Sequence, residues 1–244
     1  MEKDAERFWD LARSAQRPVA LTGAGVSAES GVPTFRGPGG LWRDYRPEEL
    51  ATPEAFARNP QLVWEWYNWR RGIIAKVQPN DAHRWLSRYE RLKDRLALVT
   101  QNVDGLHAAA GSRRVLEVHG SLWRLRCTAC NREEEDRAVP LPPLPRCGAC
   151  GGLLRPGVIW FGESLPDDVF AEAVEAVRGC DLLLILGTSA VVYPVAGLAD
   201  LVPRDSLLVE VNPDPTPLST RVNLSVRAPA GAFLGPILRE LPPG

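Results

Sequence analysis

A pair of Cys-x-x-Cys turns, Cys127/Cys130 and Cys147/Cys150, separated by residues 131–146, limits this chain more than any other feature. Each turn presents two thiols from one short loop, and two such turns close the tetrahedral shell that zinc takes. Four thiolates leave no position for water or substrate, so the expected Zn2+ is a single structural ion that does no chemistry. A pair of redox dithiols is the alternative reading of the same spacing. Residues 131–146 are acidic and then proline-rich, with too little apolar surface to fold without a metal. Cys180 stands alone before an apolar run and reads as a small core residue.

The rest of the chain alternates between helical and strand patterns. A helix is expected over 4–15, then a short apolar strand over 19–21 running into Gly23-Ala24-Gly25-Val26-Ser27-Ala28. That string fits the G-x-G-x-x-G/A dinucleotide pattern directly after a strand. In it the first glycine permits a tight turn, the second lets backbone approach a pyrophosphate, and Ala28 lets a helix pack on the sheet. An ordinary tight turn would read the same, and no acidic residue ends a second strand where a ribose-binding carboxylate would sit. A punctuated loop follows, then helices over 53–58, 61–76 and 81–93. Strand-like runs return at 96–100, 115–118, 182–186, 207–211 and 222–226, with helical patterns at 169–177, 195–201 and 232–241. The expected fold class is α/β: a doubly wound, parallel-sheet, Rossmann-like domain (1–35, 79–119 and 158–244), with a small domain made of an inserted helical segment (36–78) and a four-cysteine zinc-ribbon module (120–157).

Open α/β sheets bind ligands beyond the carboxyl ends of their strands. Polar groups stand at four such ends: Gln101-Asn102-Val103-Asp104, His119-Gly120, Gly187-Thr188-Ser189 and Asn212. Their convergence on one crevice is the expectation, although strand-end Asn and Ser also serve as turn formers. Of the three histidines, His83 reads as a helix cap and His107 is left without a role. His119 is the best general base, since imidazole transfers protons near neutrality.

Residues 23–36, Gly-Ala-Gly-Val-Ser-Ala-Glu-Ser-Gly-Val-Pro-Thr-Phe-Arg, strongly resemble the opening motif of the sirtuins, the NAD-dependent protein-lysine deacylases. Gln101-Asn102-Val103-Asp104, His119-Gly120, the four cysteines, Gly187-Thr188-Ser189 and Val211-Asn212 look like the family's remaining blocks, in its order. The resemblance covers about residues 18–241 and implies both reaction and roles. The acyl-lysine oxygen attacks C1′ of the nicotinamide ribose, nicotinamide leaves and an alkylimidate forms. His119 deprotonates a ribose hydroxyl that attacks the imidate, and water completes release of lysine and 2′-O-acyl-ADP-ribose. By the same resemblance Asn102 and Asp104 hold the nicotinamide amide, Gln101 lies near the ribose, and Phe35 shields the reactive sugar carbon from water. Gly23, Ala24, Gly25, Ser27, Arg36, Gly187, Thr188, Ser189, Asn212 and Ala230 belong to the NAD site. The glycine-proline composition of the loop around 37–40 leads to the expectation that it closes on the cofactor. The substrate peptide is implied to lie as an added strand between Val158, Trp160, Phe161 and Gly162 on one side and Val191 and Tyr193 on the other.

Tyr67 and Arg70 are three apart on the expected second helix, so they share a face, and a phenol beside a guanidinium suits a carboxylate. The pair resembles the mark of the desuccinylase/demalonylase branch of sirtuins, and Ala55 resembles the small residue that widens that branch's acyl pocket. A core tyrosine beside a solvated arginine is the plainer reading of the same spacing. The expected substrates are therefore acetyl- and acidic acyl-lysines in proteins, with a mono-ADP-ribosyltransferase using the same NAD site as the alternative. With 29 basic and 30 acidic residues there is no field to gather nucleic acid, so no direct nucleic-acid partner is expected. No apolar run approaches the roughly 18 residues that cross a bilayer, and the charged N-terminal stretch is unlike a secretory signal. The expectation is a cytoplasmic protein, with a monomer favoured and the oligomeric state left open.

Overall fold

The computed structural model describes residues 2–35, 40–41 and 46–241. Helix α1 (Glu2–Ser14) leads to strand β1 (Pro18–Thr22) and the five-residue helix α2 (Ala24–Ala28). Helices α3 (Pro47–Leu50), α4 (Pro53–Arg58), α5 (Pro60–Ile74) and α6 (Asp81–Leu92) precede β2 (Ala97–Thr100), the short α7 (Leu106–Ala109) and β3 (Val115–Glu117). Strands β4 (Gly120–Cys127), β5 (Glu133–Glu135) and β6 (Leu154–Val158) then run in succession. Helix α8 (Asp167–Arg178), β7 (Leu182–Leu186), β8 (Leu207–Val211), β9 (Leu224–Val226) and α9 (Ala230–Ile237) follow.

Six strands form one parallel sheet in the order β3-β2-β1-β7-β8-β9. Its central strands are buried along their whole length, as the run Leu-Leu-Leu-Ile-Leu in β7 requires of a strand covered on both faces. On one face, Phe8 of α1, Trp85 and Tyr89 of α6 and Phe233 of α9 pack together. On the other, Ala173 and Val177 of α8 meet Val195 and Leu198. The connection reverses direction between β1 and β7, which opens the crevice where such sheets bind ligands.

The second sheet has the order β5-β4-β6 and is antiparallel. It shares one hydrophobic core with the helical insertion: Trp64, Trp66 and Tyr67 of α5 pack with Leu122 and Leu125 of β4 and Leu154 of β6. The Trp64 indole donates to the Leu154 carbonyl at 2.9 Å. Arg71, fully buried, donates to the carbonyls of Leu122, Asp136 and Ala138 and stacks on Trp123. The two insertions are therefore one packed body.

Helix starts follow local signals. Thr52 caps α4 and Asn59 caps α5; Asn80 caps α6 in a box completed by His83, as expected of that histidine. Three expectations need correction. Residues 195–201 form a 3-10 segment, because the short stretch between Pro194 and Pro203, with Gly197 in it, gives little room to nucleate an α-helix. Helix α9 begins at Ala230, earlier than expected, because the Glu29 carboxylate accepts from the amides of Gly231 and Ala232 and caps it from a distant part of the chain. Helix α2 stops after one turn and Ala28 is exposed, so Ala28 does not pack a helix on the sheet. The close approach comes from Gly25 and Gly187 instead: the Gly25 amide donates to the Gly187 carbonyl at 2.8 Å, and a Cβ on Gly25 would lie 2.7 Å from that oxygen.

Candidate active site

All six parallel strands deliver their carboxyl ends to one edge, and hydrogen bonds tie three of those ends together. The Gln101 amide, after β2, donates to the Thr188 hydroxyl, after β7, at 2.9 Å. The Gln101 carbonyl stands 3.2 Å from Nδ1 of His119, after β3. A carbonyl can only accept, so Nδ1 carries the proton and Nε2 holds the lone pair. Burial lowers the His119 pKa below 6.5, against the opposing pull of the Gln101 carbonyl. The ring is thus a neutral base of fixed tautomer at neutral pH.

A second knot lies beside it. Ser27 donates to the Asp104 carboxylate at 2.7 Å and receives the Asn102 amide at 3.1 Å. The Leu106 amide donates to the other Asp104 oxygen at 2.9 Å, and the Trp123 indole donates to the Asp104 carbonyl at 2.7 Å. Burial pushes the Asp104 carboxyl up, while Leu106, Ser27 and the Arg70 charge pull it down. Behind this knot His83 Nε2 is 3.3 Å from the Ser27 hydroxyl, and His107 packs against His83 with ring centroids 4.8 Å apart. His107 Nε2 lies 3.0 Å from the Thr22 hydroxyl, deep under the sheet edge. Sequence reasoning missed this backing layer and the Trp123 anchor, for which the chain carries no local signal.

The other residues expected at the NAD site are dispersed. Gly23 and Ala24 open α2, Ser189 is exposed beyond Thr188, and Asn212 ends β8 with its amide on the Asp214 carbonyl at 2.7 Å. Ala230 is buried in the core as the first residue of α9. Arg36, residues 37–39 of the loop expected to close, and residues 42–45 lie outside the described residues.

Tyr67 and Arg70 do face one another, and both are buried. The Arg70 guanidinium lies 4.7 Å from the Phe35 ring, 5.0 Å from Trp66 and 5.9 Å from Tyr67. Asp104 acts on it through space, and no carboxylate among the described residues pairs with it directly. Burial pushes the Tyr67 phenol up to about 12, so it stays protonated, and its oxygen accepts the Trp160 indole N–H at 2.8 Å. Ala55, buried in α4, precedes Phe56, whose ring packs 5.3 Å from Trp160. Val158 and Trp160 are buried, whereas Phe161, Gly162, Val191 and Tyr193 are exposed on the flanking turns.

The four cysteine sulfurs lie within 4.8 Å of one another, with Cys127–Cys150 at 3.5 Å and Cys130–Cys147 at 3.8 Å. Zinc–sulfur bonds of about 2.3 Å put tetrahedral sulfurs roughly 3.8 Å apart, so the cluster fits a structural Zn2+.

A doubly wound sheet with a neutral imidazole, paired amides and a carboxylate gathered beyond its carboxyl edge suits a nucleotide-using enzyme, and comparison with known proteins narrows it. The profile of the Sir2 family matches residues 23–194. An NAD-dependent protein deacylase of Aquifex aeolicus is 51% identical over 218 residues, 88% of this chain and 91% of the relative. NAD-dependent protein deacylase 1 of Archaeoglobus fulgidus is 52% identical over 225 residues, 91% of this chain and 92% of the relative. Among solved structures, a Sir2 homologue in complex with NAD superposes with a TM-score of 0.90 at 50% identity, over 96% of this chain and 93% of that one. A Sir2 complex with a p53 peptide and NAD+ gives 0.85 at 31% identity, over 96% and 97%. This chain belongs to the Sir2 family.

Proposed function

We propose that this protein removes acyl groups from protein lysines at the expense of NAD, and that it accepts acyl chains ending in a carboxylate as well as acetyl. NAD, when bound, supplies the electrophilic sugar carbon that takes the acyl oxygen. Every other role falls to the chain. His119 Nε2 is the base for a ribose hydroxyl, with Gln101 fixing its tautomer. Asn102 and Asp104, braced by Ser27, suit the nicotinamide amide as donor and acceptor. Phe35 excludes water from the reacting carbon. Gly23, Ala24, Gly25, Thr188, Ser189 and Asn212 line the path of the dinucleotide. The amides of Ile159, Trp160 and Phe161 already donate to His119, Glu163 and Ala51, so a peptide strand laid beside them would draw on the carbonyls and on Gly162.

The observation that carries the acyl preference is the buried Arg70. A desolvated charge is costly unless an anion or aromatic faces compensate it, and here three rings do so in part while the planar donor fork stays available. Tyr67, accepting from Trp160, keeps its own proton for an incoming carboxylate. Both together favour a succinyl- or malonyl-type terminus over a neutral one.

Incubation with NAD and matched acetyl-, succinyl- and butyryl-lysine peptides, following nicotinamide release and acyl-ADP-ribose, tests the reaction; ADP-ribose attached to protein would instead mark a transferase. In the same assay Arg70→Met should lower desuccinylation relative to deacetylation by roughly tenfold or more, the worth of a hydrogen-bonded charge pair. An unchanged ratio would remove Arg70 from the acyl pocket.

A further inference from the structure

We propose that Arg155 is a positioning residue for acidic acyl groups: by clamping Trp160 it sets the direction in which the Tyr67 hydroxyl offers its proton. The proposal rests on the reading that Tyr67 and Arg70 receive an acyl carboxylate.

Arg155 sits in β6, and its side chain is only 12% exposed. Its two terminal nitrogens donate to the two oxygens of Glu163 at 2.6 and 2.8 Å, and one of them also donates to the Val158 carbonyl at 3.0 Å. The guanidinium therefore closes the turn that leaves β6, joining its start to its end. The same Glu163 oxygen accepts the Trp160 amide at 2.8 Å. Above this, the guanidinium carbon lies 3.6 Å from the centre of the Trp160 ring. Trp160 is thus held twice, at its backbone by the carboxylate and at its indole by the cation stacked on it.

What the held indole does is donate to Tyr67. Its N–H reaches the phenolic oxygen at 2.8 Å, while Phe56 bounds the same ring at 5.3 Å. A phenol O–H prefers its ring plane, so an acceptor position filled on one side of the oxygen turns the proton to the other. The Trp160 indole is therefore an orienting contact, and its place depends on Arg155. Lysine could not substitute, because a compact ammonium cannot make two parallel bonds to a carboxylate and stack a flat face on an indole at once. Phe56 and Tyr67 alone would leave the indole free to pivot in its plane.

The experiment uses the full-length protein and measures KM and kcat for acetyl- and succinyl-lysine peptides of one sequence. Arg155→Lys should raise KM for the succinyl peptide roughly tenfold relative to the acetyl peptide, with kcat on acetyl-lysine changed by less than about twofold. Trp160→Phe, which keeps a ring but removes the indole donor, should shift the KM ratio in the same direction. Adding Tyr67→Phe to Arg155→Lys should add little to the ratio, because both act through one hydrogen bond. Equal shifts for both peptides would make Arg155 a brace of the turn alone and overturn the proposal; an Arg155→Lys protein that fails to fold leaves the decision to Trp160→Phe, where an unmoved ratio does the same. Arg70→Met in parallel separates the two levels. If it leaves the ratio unchanged, the acyl-pocket reading fails and this proposal falls with it. If it moves the ratio while Arg155→Lys and Trp160→Phe do not, only the role of Arg155 is lost.

Discussion

The base role proposed for His119 requires a free Nε2 lone pair, and burial favours that state. Because its pKa lies below 6.5, the plateau of kcat/KM should extend through neutral pH and fall only on the acid side of 6.5. A pH profile with an acetyl-lysine peptide checks this; an acid limb centred at or above 6.5 would contradict it. The strand-end positions of His119, Asn102 and Asp104 were legible because a polar group after an apolar run is itself a local signal. Arg155 was not, since nothing about an arginine and a glutamate eight positions apart says that the chain doubles back to pair them. Arg71 was equally hidden. Its hydrogen bonds go to the carbonyls of Leu122, Asp136 and Ala138, with the Asp136 carboxylate 3.8 Å away, and carbonyl partners leave no trace in a sequence.

At the scale of elements, the metal-binding turns hold β4 to β6 through Cys127, which pairs in register with Leu154. Structural zinc contributes on the order of 10 kcal/mol to closing such modules. Chelation should therefore melt β4–β6 and expose Trp123 and Trp160, with loss of activity, because His119 precedes β4 directly and Trp160 follows β6. Tryptophan fluorescence and activity followed together decide it; full activity after the metal is shown to be gone would count against the role. The parallel strands were readable as apolar runs, since both faces are covered. Strand β4 was not, because its apolar residues Leu122, Trp123 and Leu125 are few and find their partners on α5. Helix α3 has four residues, too few for any period to show.

Over the whole molecule, two fully buried histidines make stability sensitive to acid. Burial lowers His83 to about 4 and His107 well below 6.5. Above 6.5 both are neutral folded or unfolded; below it the unfolded chain binds protons that the folded one refuses, so stability declines as pH falls from 6.5 towards 4. His83 alone would account for on the order of 3 kcal/mol of that loss. Urea midpoints across this range should fall steadily, and a flat response would show that the two rings take up protons without unfolding. The doubly wound class was legible from alternation of strands and helices, and the assignment of both insertions to one small domain was made from the sequence as well; the individual contacts that join them were not legible, since they depend on segments far apart in the chain. Because α5 and the cysteine-bearing sheet share one hydrophobic core, and protein cores are close-packed, a substitution that reshapes the surroundings of Tyr67 and Arg70 should also strain the metal knot, so changes at the two places are expected to be coupled.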